Sequence, residues 1–172
     1  VYVGFGSMAG RKPRELTGIV LEALALSGQR GVIATGWGGL TEGELPGTVF
    51  AVRDVPHSWL FPRVSAVVHH GGAGTTTAGL RAGCPTVVCP FFADQPFWGR
   101  RIHALGAGPR PIPQRRLTAP RLADAITSAV HDVNMRVIAG LLKQQLADES
   151  RLDRTVALIE SLSGRRLCAA ER

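Results

Sequence analysis

The sequence predicts an α/β domain in which a doubly wound parallel sheet is flanked by helices. Short apolar runs of strand length alternate along the chain with longer stretches in which apolar residues recur at helical spacing. Glycines, prolines and small polar residues separate these runs. Five or six strands that alternate with helices favour one parallel sheet, and ligands of such sheets bind at the carboxyl ends of the strands.

The first part of the chain supplies three of the predicted strands. Val1–Phe5 is an apolar run that ends at a turn, and Pro13 lies near the start of a helix that ends near Gly28. One face of that helix carries Leu16, Ile19, Val20, Ala23 and Leu24. The next two predicted strands are Gly31–Thr35 and Thr48–Val52.

Two further strands enclose a glycine-rich turn. Ser65–His69 leads into the turn, Ala78–Ala82 forms a short helix closed by Gly83, and Thr86–Cys89 is the next strand. Beyond them we predict a candidate sixth strand at Arg110–Ile112 and helices over Phe97–Leu105, from the Thr118 cap to Val130, from Met135 to Leu146 and from Leu152 to Ile159.

The composition is that of a globular domain with an excess of basic charge. Of the 172 residues, 45% are hydrophobic and 19% are charged, so we expect one domain over residues 1–163 and a flexible tail over residues 164–172. The formal charge of +7 suits an anionic ligand or an acidic membrane surface without choosing between them. No signal peptide and no membrane-spanning apolar run is apparent. We expect a cytoplasmic protein that can contact a membrane peripherally.

The three cysteines, Cys84, Cys89 and Cys168, lack the spacing of a zinc site. Cys84 and Cys89 are expected to be small buried residues in a reduced protein.

The turn after the fourth strand has the chemistry of an anion site. Glycines 71, 72 and 74 let a phosphate approach the backbone, and the first amides of a helix have no intrahelical partners. The hydroxyls of Thr75 and Thr76 and the imidazole of His70 add hydrogen-bond donors. A diphosphate is the expected ligand.

A second polar pair follows the next strand. Asp94 and Gln95 come just after the strand that Pro90 ends, in a loop that Pro96 is expected to hold out of helix. A carboxylate beside an amide offers acceptors and donors that suit the vicinal hydroxyls of a sugar. The two polar sites should lie at the ends of neighbouring strands.

Residues 70–95 resemble the nucleotide-sugar signature of family 1 glycosyltransferases, which have two Rossmann-like domains. The wording H-H-G-G-A-G-T-T, with D-Q-P-F-W-G further on, is most similar to sterol 3β-glucosyltransferases and to bacterial relatives that glycosylate lipids and antibiotics. The resemblance implies the C-terminal, donor-binding half of an inverting UDP-sugar transferase. It also implies that the general base lies on an N-terminal acceptor domain, so no catalytic residue is expected in this chain, which should bind donor without turnover.

The resemblance also assigns roles to individual positions. It places the donor diphosphate at Ser7, His70, Gly72, Ala73, Gly74, Thr75 and Thr76, the nucleobase at Val55 and His57, and the sugar at Asp94 and Gln95. UDP-glucose is the implied donor, and a sterol, another lipid or a secondary metabolite is the implied acceptor. No cofactor and no metal are expected, in keeping with the absence of a D-x-D triplet. The expected partners are therefore the UDP-sugar, the N-terminal domain and a membrane surface or lipid acceptor, but not nucleic acid.

Two departures from the plant-type pattern keep the donor base open. Plant-type members stack uracil on a tryptophan where this chain has Asp54, and they grip ribose with a glutamate where it has Ala78. Trp59 and Phe61 are expected to pack beneath the loop rather than stack on a base.

Three other functions remain as alternatives. They are a transferase of TDP- or UDP-deoxysugars in antibiotic synthesis, a noncatalytic module that binds sugar nucleotides or acidic lipid, and a dinucleotide oxidoreductase. The last is disfavoured because the first turn lacks a third glycine.

Overall fold

The computed structural model describes residues 1–6, 13–35, 45–147 and 150–163, and its centre is a five-stranded parallel sheet. The strands are β1 (Tyr2–Gly4), β2 (Gly31–Ala34), β3 (Val49–Val52), β4 (Val67–His69) and β5 (Thr86–Val88). They lie in the order β3-β2-β1-β4-β5. The doubly wound α/β prediction is confirmed.

Seven α-helices occur in the described part of the chain. They are α1 (Pro13–Leu26), α2 (His57–Leu60), α3 (Ala73–Ala82), α4 (Gln95–Ala104), α5 (Ala119–His131), α6 (Val133–Leu146) and α7 (Ser150–Ser163). Short 3₁₀ turns occupy Phe61–Arg63 and Gln114–Arg116. None of the helices within the described ranges has the length and apolar character needed to cross a membrane.

The helices cover both faces of the sheet, and alternate strand residues point to different cores. Val3, Val68 and Val87 belong to the core that contains α1 and α5. Tyr2 and Val67 belong to a second core with Phe61 on the other face. This alternation is what a strand period of two requires when both faces are covered.

The starts of two helices differ from the sequence prediction. Helix α3 begins at Ala73, five residues before the predicted start, because Gly72 takes the N-cap conformation and the threonines continue the helix. Helix α4 begins at Gln95 with Asp94 as its N-cap, so the prediction that Pro96 keeps Asp94 and Gln95 out of helix is wrong for Gln95. Proline fits the first turn of a helix, where its missing N–H has no acceptor to lose.

The candidate sixth strand is also wrong. Ile112 donates one backbone hydrogen bond to the Val88 carbonyl at 3.0 Å, but residues 110–112 form no strand. Pro111 and Pro113 on either side have no N–H to extend the ladder.

The strand order places a crevice between β1 and β4. Chain progression reverses at this pair, with β2 and β3 on one side and β5 on the other. At such a switch point the loops that leave neighbouring strands diverge, and a crevice opens outside the carboxyl ends. Gly6 follows β1 and His70 follows β4, so both lie at this crevice.

Candidate functional site

His70 is held between two glycines at the switch point. A Cβ atom added to Gly6 would stand 3.1 Å from Cε1 of His70, and one added to Gly72 would stand 2.5 Å from Nε2. Gly6 also has a φ of 60°, which favours glycine. Nδ1 is enclosed without a hydrogen-bond partner among the described residues, which leaves Nε2 as the ring nitrogen that a ligand can reach.

Helix α3 presents its first backbone amides beside His70. Gly72 is the N-cap, and it has no side chain to accept from these amides. Ala73 and Gly74 are exposed and Thr75 is half-buried. Since the first-turn amides lack intrahelical acceptors and lie at the positive end of the helix dipole, they form a seat for an anion.

Thr76 shapes the turn from inside. It is 1% exposed, and its hydroxyl donates to the Gly72 carbonyl at 2.9 Å. Its backbone N–H donates to the same carbonyl. Because both donors are used within the turn, a phosphate contact from the Thr76 hydroxyl does not fit this conformation. Thr75 is the threonine that lines a cavity.

His69 lies wholly buried beneath the same turn. Its Nδ1 accepts the Gly71 N–H at 2.9 Å, and its Nε2 is enclosed with no partner among the described residues. Burial, with smaller contributions from His70 and His57, lowers the pKa of His69 to about 3. The ring is therefore neutral at physiological pH.

His57 is supported from below by aromatic residues. Its ring stacks on Phe61 with a centroid separation of 4.3 Å, and its Nε2 lies 3.4 Å from the Tyr2 hydroxyl. Burial lowers the pKa of His57, against a smaller raising effect of Asp54. The imidazole is thus a neutral, oriented group at the end of β3.

Two cavities adjoin these residues. One of about 150 Å³ at the carboxyl edge of the sheet is lined by Val55, His57, Gly6 and Thr75, among others. A larger groove of about 530 Å³ runs between α2 and α3, and its lining includes Ser58, Ala73, Gly74, Ala78 and Arg81. Both contact the first turn of α3, so a ligand with an anionic group there could extend into either.

Asp94 and Gln95 occupy different environments. Gln95 is 5% exposed, and its Oε1 accepts from the backbone amides of Phe91 at 2.8 Å and Phe92 at 3.2 Å. Asp94 is exposed, and its Oδ2 accepts from Nε1 of Trp98 at 2.8 Å. Of the two, Asp94 presents its polar group to solvent, while the Gln95 oxygen holds the preceding loop.

Asp94 and His70 interact across the site. Burial lowers the pKa of His70, and the Asp94 carboxylate opposes that effect. The Asp94 carboxylate, which follows β5, therefore has a raising effect on the pKa of the His70 imidazole, which follows the neighbouring strand β4. The two polar sites lie at the ends of neighbouring strands, as predicted.

Some predicted positions have other outcomes. Ser7 and Cys168 lie outside the described residues. Cys84 and Cys89 are buried as predicted. Within the described ranges, no cluster of three histidine, cysteine or acidic side chains could hold a metal ion.

Three features of the site were missed from the sequence. Phe61 is fully buried as expected, but Trp59 is 54% exposed, with the Arg63 guanidinium 4.6 Å from its ring centroid. The Trp98 contact to Asp94 has a sequence signal, the i,i+4 spacing on one helix. The buried, unpaired Nε2 of His69 has none.

Comparison with protein families gives one match over most of the chain. The family described as "Erythromycin biosynthesis protein CIII-like, C-terminal domain" matches residues 32–160. A sterol 3-beta-glucosyltransferase of Arabidopsis thaliana is 50% identical over 150 residues, which cover 87% of this chain and 23% of that protein. One from Saccharomyces cerevisiae is 39% identical over 167 residues, covering 92% of this chain and 14% of the relative. The chain thus spans less than a quarter of these relatives.

Solved structures of glycosyltransferases share the fold of this chain over most of its length. A crystal structure described as the glycotransferase of kitacinnamycin has a TM-score of 0.77 and 27% identity, and the match covers 94% of this chain and 43% of that one. The glycosyltransferase SnogD from Streptomyces nogalater has a TM-score of 0.67 and 25% identity, covering 91% of this chain and 42% of that one.

Proposed function

Because this chain belongs to the family of erythromycin biosynthesis protein CIII-like C-terminal domains, we propose that it is the donor-binding domain of an inverting, metal-independent UDP-sugar glycosyltransferase. The observation that carries the proposal is the anion seat at the switch point. There the first-turn amides of α3 and the glycine-enclosed ring of His70 converge from one turn. A donor diphosphate is a ligand that requires both.

The same groups would stabilise the leaving diphosphate. As the bond between sugar and phosphate breaks, negative charge grows on the departing UDP, and fixed N–H donors stabilise that charge without reorganising. Amides of Gly72, Ala73, Gly74 and Thr75 would supply these donors, with His70 Nε2 as a further one. Ser7 would add a hydroxyl from the loop after β1, and Thr76 would keep the turn in shape.

The nucleoside would extend from the anion seat towards the ends of β3 and α2. Val55 and His57 line the nearer cavity, and the neutral His57 ring can present one donor or one acceptor to uracil. The groove along α3 passes Ala78, so ribose is held there without the carboxylate of the plant-type pattern.

The sugar would lie beside Asp94 and Gln95. The Asp94 carboxylate can accept from two neighbouring hydroxyls, and its effect on the pKa of His70 supports a position beside the diphosphate. The Gln95 oxygen is already bonded to two backbone amides, so a sugar contact from Gln95 would not use that oxygen. Free hydroxyls on a hexose such as glucose suit this pair.

Turnover would require a partner domain. Relatives are several times longer than this chain, and the general base is proposed to lie on an N-terminal, acceptor-binding domain. Sterols are the proposed acceptors because relatives with that printed activity are 50% and 39% identical to this chain. A secondary-metabolite hydroxyl is the other proposed acceptor.

Titration calorimetry of this chain with UDP, UDP-glucose and TDP-glucose, in the absence of metal, tests the proposal. UDP and UDP-glucose should bind, and His70→Ala should weaken both by about tenfold, as expected for loss of a charge-assisted hydrogen bond. His131→Ala, an exposed histidine in the last turn of α5, is the matched control and should bind normally. If this chain and its fusion to an N-terminal domain both fail to bind UDP, the proposal is wrong.

A transferase of TDP- or UDP-deoxysugars is the second candidate. The kitacinnamycin transferase favours it, because its description names that compound and not a sterol. It predicts little effect of Asp94→Asn on donor binding, since a deoxysugar offers fewer hydroxyls, and a TDP-dependent enzyme would also bind TDP-glucose more tightly than UDP-glucose. Adding Asp94→Asn to these titrations therefore separates the two candidates.

We also propose peripheral contact with an acidic membrane. Residues 95–123 contain no acidic residue, and their exposed arginines are Arg100, Arg101, Arg110, Arg115, Arg116 and Arg121. Phe92 and Phe97, which are near them along the chain, are 60% and 54% exposed. Basic and aromatic groups together suit an anionic lipid surface. Sedimentation with phosphatidylserine vesicles, but not with phosphatidylcholine vesicles, is expected, and Arg115→Ser with Arg116→Ser should reduce it.

A further inference from the structure

The buried His69 ring makes one specific hydrogen bond that involves the anion turn. It is the last residue of β4, it is 0% exposed, and its Nδ1 accepts the Gly71 N–H at 2.9 Å. A nitrogen that accepts must be unprotonated, so the proton of the neutral ring is on Nε2. The ring is therefore a fixed acceptor directed at the backbone of the turn.

Gly71 is the residue at which the chain reverses. Its φ is 94°, and an added Cβ would stand 2.7 Å from Cγ1 of Val88 and 3.0 Å from the Gln95 carbonyl oxygen. The turn is thus packed closely against β5 and α4 and has little room to change its path. Within it, the Gly71 amide is bonded to His69, whereas the next amides belong to the open start of α3.

We propose that His69 is a positioning residue for the donor diphosphate. Its Nδ1 accepts the Gly71 N–H from beneath the turn, and this hydrogen bond orients the following amides, from Gly72 to Thr75, towards the anion. The inference rests on the proposed function. His69 does not touch the donor. It sets the direction of the groups that do, and it uses an acceptor that an apolar residue of similar volume would lack.

The acceptor persists at neutral pH. Burial lowers the pKa of His69 to about 3, so Nδ1 stays unprotonated at neutral pH. A lysine or arginine in this place would donate hydrogen bonds to the phosphate and compete with the amides for it, whereas the His69 Nδ1 only accepts. Its contribution is confined to geometry.

Two substitutions separate this role from simple packing. In His69→Asn the amide oxygen can stand near the position of Nδ1 and accept the Gly71 N–H, whereas His69→Leu fills space without an acceptor. UDP affinity, measured by calorimetry on the 172-residue chain, should fall by about tenfold or more in His69→Leu and by less than about threefold in His69→Asn. Normal UDP affinity in a folded His69→Leu variant would overturn the inference.

Nitrogen NMR of the unsubstituted chain keeps the test independent of variant folding. The His69 Nδ1 should be unprotonated with and without UDP, the Gly71 amide should shift little on binding, and the Gly72–Thr75 amides should shift strongly. A Gly71 amide that leaves His69 and bonds the ligand would refute the positioning role. Absence of UDP binding by the unsubstituted chain would instead refute the proposed function, and the inference with it.

Discussion

Replacing His69 with asparagine should remove a large part of the acid sensitivity of this domain. The folded-state pKa of His69 is about 3, against an ordinary value of 6.5, because the ring is buried. Below pH 6.5 the His69 ring is therefore protonated in the unfolded chain but stays neutral in the folded chain. The stability that the neutral ring provides is fully present above pH 6.5 and is lost progressively as the pH falls towards 3.

The size of this effect follows from the shift in pKa. Each pH unit below 6.5 removes about 1.4 kcal/mol from the free energy of unfolding, so lowering the pH from 7 to 5 should cost about 2 kcal/mol through His69 alone. His57 and His70 also have lowered pKa values and act in the same direction. Since both are present in the variant, their contributions cancel in the difference.

Urea unfolding followed by circular dichroism at pH 7, 6 and 5 measures the effect. The free energy of unfolding should fall by about 2 kcal/mol more in the unsubstituted chain than in His69→Asn over this range. Equal pH dependence in the two chains would show that His69 protonates in the folded state near its ordinary pKa. The account of the ring as a permanent acceptor would then be wrong.

Two other changes test the turn and the sugar site. Gly72→Ala should lower the free energy of unfolding by about 1–3 kcal/mol, because its Cβ would overlap His70, while Gly74→Ala, with open space around it, should raise stability by up to about 1 kcal/mol. Equal urea midpoints for the two variants would contradict this. Trp98→Phe, which removes the N–H bonded to Asp94, should weaken UDP-glucose by about two- to fivefold and leave UDP unchanged in calorimetry. Equal losses for both ligands would instead indicate a general disturbance of the site.

The sequence predicted the sheet well because the strand signal is local. Val67–His69 and Thr86–Val88 are apolar runs bounded by turn residues, and covered parallel strands take that form. The start of α3 was missed because a run of three threonines has low helix propensity, which the packing of Thr76 and Gly79 against the sheet overrides.

The sequence predicted which residues form the site better than it predicted how they are arranged. Spacing and residue type indicated an anion turn near His70, but they could not distinguish the outward Thr75 from the inward Thr76. That difference depends on which face of a helix packs on the sheet. The exposed position of Asp94 and the structural role of Gln95 could not be predicted either. The role of Gln95 depends on hydrogen bonds from the amides of Phe91 and Phe92 to its side-chain oxygen.

The position of β1 has a consequence for how the domain acquires its site. Tyr2 pairs with Val32 on one side and with Val67 on the other, so β1 lies at the centre of the sheet between strands that follow it at long separations. Pairings between residues this far apart carry a large loop-closure cost before any contact forms, and topologies of this kind fold slowly. The crevice between Gly6 and His70 cannot exist until that central pairing closes. During refolding, nucleotide binding should therefore appear later than helix formation, and its appearance should report that the sheet is complete.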